Sequence, residues 1–232
     1  VKYVVDKVVS AWKNLPRIII IDTRNPRNWF ETDIITQNGG EFRGMLAYSG
    51  SEPVIVLNGD YLESYDDVEA TIYHEALGHY GLRSAYGRTL QKLLRDIYES
   101  DPKYKSEIMK RIAHEHRVEA ETVQLTPYDI GYHMEEILAE KSEAGPLADP
   151  TTLQRVMDFI RGFARRMGWR KGAFTEAELS AIVRAGQKRT MDGPKAPNRD
   201  VVAAARIAFR PVASGDSAPA GPTAILQDTK TP

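Results

Sequence analysis

The sequence predicts an α+β fold: a small, partly antiparallel sheet followed by a mainly helical half. Three observations predict it. Four consecutive isoleucines, Ile18 to Ile21, form a short apolar run of the kind that makes a buried strand. Two further short apolar runs follow, separated by Gly- and Pro-rich turn signals. Beyond residue 65, apolar residues recur instead at i, i+3 and i+4, with capping residues ahead of them. With 232 residues, 42% of them hydrophobic, the chain is long enough for one core plus a tail. A net charge of −1 offers no global field for nucleic acid or an anionic membrane. With no cysteine, disulfides and thiolate ligands are excluded.

Taken in order, Val1, Val4, Val5, Val8, Val9 and Trp12 describe an amphipathic helix that Leu15-Pro16 ends. Arg17 to Asp22 is the first strand, and Asn25 to Asn28 a turn-rich loop. Asn38-Gly39-Gly40 signals a turn, Phe42 to Tyr48 a strand, Gly50 to Pro53 a turn, and Val54 to Leu57 a third strand. Asp66 and Glu69 have capping-box spacing and open a helix that runs to Arg83. Helices follow at Thr89 to Glu99, Lys103 to Arg117, Pro127 to about Ala144, Thr152 to Met167 and Thr175 to Lys188, the last opened by Thr175-x-x-Glu178. Basic and aromatic residues interleave between Arg155 and Lys171, which reads as a solvated helix face rather than a nucleic-acid patch. The domain therefore covers about residues 1–190. Residues 191–232, rich in Pro, Ala and Gly, read as a linker or tail with a weak helix around Val201 to Phe209. No run is long enough for a transmembrane helix and no signal peptide is visible. A start at Val1 suggests a segment of a longer polypeptide.

The helix from Asp66 to Arg83 holds His74-Glu75-Ala76-Leu77-Gly78-His79. Histidines at i and i+4 lie roughly 40° apart on an α-helix, but at i+5 they lie about 140° apart and cannot share an ion. A single i→i+5 turn restores a common face. A bulge is therefore expected near Ala76 to Gly78, with Gly78 offering no Cβ to resist it. A downstream helix supplies Glu135, Glu136 and Glu140, and two histidines plus one carboxylate make the donor set of a catalytic zinc. His114 and His116, two apart, diverge and read as solvated residues in the last turn of their helix.

The pair H-E-x-x-G-H and E-E-x-x-A-E resembles the motif pair of the dipeptidyl peptidase III family of zinc peptidases. The longer run HEALGHYGLR, His74 to Arg83, is similar to zincin-like metallopeptidase domains embedded in large polyvalent proteins of phages and mobile elements. The second resemblance suits the chain's length better, so the two-lobed architecture and exopeptidase specificity of the first are not carried over. The resemblance implies a zincin-like layout, Zn²⁺ on His74, His79 and Glu136, and Glu75 as the general base. Glu140, on the face of Glu136, is expected to orient a ligand histidine, and Glu140→Ala to weaken zinc binding moderately. Glu135 points about 100° from Glu136, and Glu135→Ala is expected to be nearly silent. His133 is the first candidate for stabilising the oxyanion, with Tyr128 and Tyr132 as alternatives.

The expected activity is zinc-dependent peptide hydrolysis, with a peptide or protein substrate, including the parent polypeptide itself. An extended peptide would add to a strand edge, either Gly44 to Tyr48 or Val54 to Leu57. Two alternatives stand beside this: a non-catalytic, metal-stapled module of a larger phage or mobile-element protein, and a hydrolase acting on another polymer such as peptidoglycan. The expected location is cytoplasmic, virion-associated or delivered with a mobile element.

Overall fold

The computed structural model describes residues 1–148, 172–194 and 201–204, with isolated positions between 150 and 168. The expected helix Thr152 to Met167 lies largely outside the described residues, as does the tail beyond Ala204. The fold is α+β and mostly helical. Helix α1 (Lys2–Val9), strand β1 (Arg17–Ile21), helix α2 (Trp29–Asn38), strands β2 (Gly44–Ser49) and β3 (Glu52–Asn58), and helix α3 (Tyr65–Ile72) build the first half. Helices α4 (Gly81–Tyr86), α5 (Leu90–Ser100), α6 (Pro102–His116), α7 (Pro127–Glu140) and α8 (Glu176–Met191) build the second.

The three strands run β1-β3-β2, with β1 parallel and β2 antiparallel to the central β3. β3 reads as an unbroken apolar run because both its faces are covered. Ile55 and Leu57 face α1 and α3, in one core with Val4, Val68 and Ile72. Val54 and Val56 face α2, with Ile21, Phe30 and Ile34. The helical half closes over a separate core of Leu82, Leu94, Ile97, Ile108, Met134, Leu138 and Val183.

Two details differ from the sequence expectations. Helix α2 falls between the expected loop Asn25 to Asn28 and the expected turn Asn38 to Gly40, a stretch to which the sequence assigns no element. It is held by Asn28, whose side chain accepts from the Glu31 N–H, and by Gly39 in the left-handed conformation at φ 66°. The capping box of α3 is Ser64 with Asp67, not Asp66 with Glu69: the Ser64 hydroxyl accepts from Asp67 N–H while the Asp67 carboxylate takes the Ser64 N–H. A hydroxyl two residues upstream starts the helix earlier, leaving Asp66 inside the first turn.

Strands β1 and β2 are the two edges of the sheet, and β2 is the edge that lines the cleft described below. The bond from Asn58 N–H to Arg43 C=O sets the alternation of the ladder, so the peptide groups of Gly44, Leu46 and Tyr48 point away from β3. Residues 201–204 form a helical turn in which Val201 packs with Tyr80, Leu46 and Tyr48. None of the described helices is long and apolar enough to cross a membrane.

Candidate metal centre

The segment between α3 and α4, Tyr73–Tyr80, is a π-helix, which places the widened turn where the histidine spacing requires it. Gly81 N–H donates to Ala76 C=O, an i→i−5 bond, and the Thr190 hydroxyl of α8 donates to the same carbonyl at 3.0 Å. That buried hydroxyl satisfies an acceptor in the widened turn. Helix α8 comes this close because Gly81 faces Gly186: a Cβ on Gly81 would lie 2.9 Å from the Gly186 backbone.

Gly78 has a second role beyond tolerating the bulge. A Cβ there would fall 2.7 Å from the Cβ and 2.8 Å from the Cα of Ala139. The π segment and α7 therefore touch at Gly78 and Ala139, the small residues of the two motifs, and this contact brings the histidines to Glu136. Gly78→Ala is expected to cost about 1–3 kcal/mol through overpacking and to weaken metal binding. Adding Ala139→Gly should restore part of both, as read by denaturant unfolding and chelator competition. No recovery in the double variant would show that the contact is not the cause.

His74, His79 and Glu136 converge, their ligand atoms lying within 4.8 Å of one another. His74 Nε2 is 3.1 Å from His79 Nε2 and 3.3 Å from Glu136 Oε2, while His79 Nε2 is 3.2 Å from Glu136 Oε1. Tetrahedral ligands at about 2.0 Å from an ion are about 3.3 Å apart along each edge, so this donor set fits a small ion. Each histidine turns its other nitrogen to a carboxylate. His74 Nδ1 meets Glu143 Oε1 at 2.9 Å, and His79 Nδ1 meets Glu135 Oε1 at 2.9 Å. A proton held on Nδ1 by each carboxylate frees Nε2 to ligate.

The electrostatics agree. Burial opposes the charged form of His79, but Glu136 and Glu135 outweigh it and hold its pKa well above the usual histidine range. Burial likewise opposes charge on Glu136, yet His79 and His74 keep it well below the usual carboxylate range. The group is thus an anion facing two nitrogens that attract protons, and a metal ion would replace those protons.

Two expected roles move. Glu140 does not orient a histidine: its carboxylate pairs with Arg111 of α6, Nη2 to Oε2 at 2.9 Å, on a half-exposed surface. Helix α7 ends at Glu140, and the turn after it swings Glu143 back to His74. Glu135, expected to be silent, is buried at 2% exposure and accepts from both His79 and Arg83, the latter through Nε at 2.7 Å. Arg83 is itself buried, and its Nη1 donates to the Tyr48 hydroxyl at 3.0 Å. The chain Tyr48–Arg83–Glu135–His79 thereby ties edge strand β2 to a candidate ligand. The signal in the sequence was an arginine at i+4 from His79, with no other Asp, Glu, Lys or Arg between Leu77 and Tyr86.

A cleft of about 340 Å³ opens over the group, lined on one side by His74, Glu75, His79, Arg83, Tyr132 and Glu136 and on the other by β2 and α2. Glu75 is 5% exposed, and its Oε2 has no hydrogen-bond partner among the described residues. Burial raises its pKa. Gly44 lets β2 settle against it, since a Cβ there would strike Thr71 and lie 3.3 Å from Glu75 Cγ. His133, the first candidate for the oxyanion, does not line the cleft; it is buried on α7, where Glu115 and Asp129 act on it. Tyr132 does line the cleft, with Tyr128 stacked on it at 6.1 Å. His114 and His116 are exposed in the last turn of α6 and belong to no ligand group among the described residues. Comparison with known proteins returned no matching family model, no similar curated protein and no similar solved structure.

Proposed function

We propose that this chain is a zinc-dependent peptidase with a zincin-like layout, in which His74, His79 and Glu136 hold the ion and Glu75 is the general base. The observation that carries the reading is the convergence of two Nε2 atoms and one carboxylate at tetrahedral spacing, beside a buried carboxylate with one oxygen unpartnered among the described residues. Two nitrogens and an oxygen, with no thiolate in the sequence, suit zinc in a site that leaves one position open. When bound, zinc supplies Lewis acidity, lowering the pKa of water and polarising a carbonyl.

The chain's own residues supply the rest. The outward peptide groups of Gly44, Leu46 and Tyr48 on β2 offer an extended peptide a strand to pair with, which holds its backbone over the group. Of the two strands considered from the sequence, β3 is enclosed on both sides by β1 and β2, so β2 is the candidate. Glu75 takes a proton from the attacking water and delivers it to the leaving amine as the C–O bond forms and the C–N bond breaks. Its raised pKa suits both transfers. Of the three oxyanion candidates from the sequence, Tyr132 is the one that lines the cleft, and its hydroxyl, rather than His133, takes the role of donor to the developing oxyanion.

Removal and restoration of the ion tests this reading. The purified chain is expected to carry close to one zinc per molecule. Dialysis against a chelator should abolish cleavage of a mixed peptide library, and stoichiometric zinc should restore it. A zinc-replete chain that cuts no peptide in a broad library would favour a metal that only staples two helices.

A further inference from the structure

The cleft is lined from both faces of β2, and these two sides, its two limbs, differ in chemistry. The limb on the helix side holds the acidic and basic side chains that line the cleft: His74, Glu75, His79, Arg83 and Glu136. The limb on the α2 side is walled by Phe30, Ile34, Phe42, Met45 and Ala47, and its polar members are the uncharged amides of Gln37 and Asn38. Phe30 and Ile34 are already packed into the sheet core, whereas Met45 and Ala47 remain only half-buried at the open edge. Apolar surface thus continues outward from a fixed core wall to a strand whose outer peptide groups have no strand partner among the described residues.

Strand geometry connects the limbs. Met45 and Ala47 belong to the α2 face, while Leu46 and Tyr48 pack on the opposite face with Tyr80. A peptide paired with β2 must alternate in the same way. A residue facing the candidate metal centre is therefore followed by one whose side chain enters the α2 limb.

We infer that the α2 limb is the specificity pocket of the cleft, taking one large uncharged apolar side chain of an extended peptide, next to the residue over the metal centre. The inference rests on the peptidase reading for its substrate, and it fixes the class: segments with an aromatic or long aliphatic residue beside the cut. An ionised side chain would lose its hydration in this limb without finding an opposite charge there. A smaller side chain would leave the Met45 and Ala47 surface wet.

The test profiles the zinc-loaded full chain on a synthetic peptide library, with cut sites read by mass spectrometry. One position within two residues of the cut should require Phe, Leu, Ile or Met, with Asp, Glu, Lys and Arg cut at least about 10-fold more slowly. Ala47→Phe, which fills the limb, should lower the ratio of kcat/KM for a Phe peptide to that for its Ala counterpart by at least about 10-fold. Tolerance of charge at every position, or an unchanged ratio in a folded, zinc-loaded Ala47→Phe chain, would overturn the pocket. If no peptide is cut, the same library is passed over immobilised wild-type chain and retained peptides are sequenced. Enrichment of one apolar position would then uphold the pocket while the peptidase reading fails; retention without such enrichment would overturn both.

Discussion

Glu75→Gln is expected to give a folded, zinc-loaded chain whose peptide hydrolysis is at least about 10²-fold slower than wild type. The carboxamide has nearly the shape of the carboxylate, so the contacts of a side chain that is 5% exposed should survive. Glu75 is not among the residues whose ligand atoms converge, so zinc content should not change. What is removed is a proton acceptor. Burial has raised the pKa of this carboxyl, so it binds and releases a proton nearer neutrality than a surface glutamate does. The measurement is single-turnover cleavage of a library-derived peptide, with zinc quantified on the same sample. Undiminished cleavage by Glu75→Gln would exclude it as the base; parallel loss of zinc and activity would place it in the metal's coordination instead.

The part of the site that was legible in the sequence was the part governed by local spacing. Histidines at i and i+5 leave an α-helix one way to bind a common ion, so a widened turn near Ala76 to Gly78 followed from arithmetic, while its extension over Tyr73–Tyr80 did not. The third strand was legible because full burial leaves no polar alternation to confuse it, and the isoleucine run because both faces of β1 meet an apolar core even though Ile18, Ile19 and Ile20 are only partly buried. Helix α2 was not, because the apolar residues of WFETDIITQN are not gathered on one face and several are β-branched. Its caps, Asn28 and Gly39, carried the signal, but Gly39 also fitted a turn.

The partners of the histidines were illegible for a different reason. Helix periodicity places Glu140 beside Glu136, but it says nothing of Arg111 arriving from α6 to claim that carboxylate. Nor does it describe the turn after α7 that returns Glu143 to His74. Gly78 and Ala139 were visible as motif letters, yet their contact is a tertiary fact. Periodicity fixes which side chains share a face, and the crossing of helices decides which faces meet.

Glu135→Ala shows the consequence, because the sequence alone predicts almost no effect and the structure predicts a large one. The substitution removes the acceptor of two buried donors, His79 Nδ1 and Arg83 Nε. Arg83 is 5% exposed, and losing one partner of a buried charged pair costs about 3–5 kcal/mol, chiefly through the charge left behind. His79 would no longer have its Nδ1 proton held, so its Nε2 would present to the ion less often, weakening zinc binding by about 10–100-fold. Denaturant unfolding of the metal-free chain measures the first effect and chelator competition the second. Glu140→Ala is the control: its pair with Arg111 is half exposed, is worth about 0–1 kcal/mol, and touches no histidine. Glu135→Gln should fall between, since an amide oxygen can still accept from one donor but brings no charge to Arg83. If Glu135→Ala and Glu140→Ala proved alike in stability and zinc affinity, the buried chain from Tyr48 through Arg83 and Glu135 would have no hold on His79.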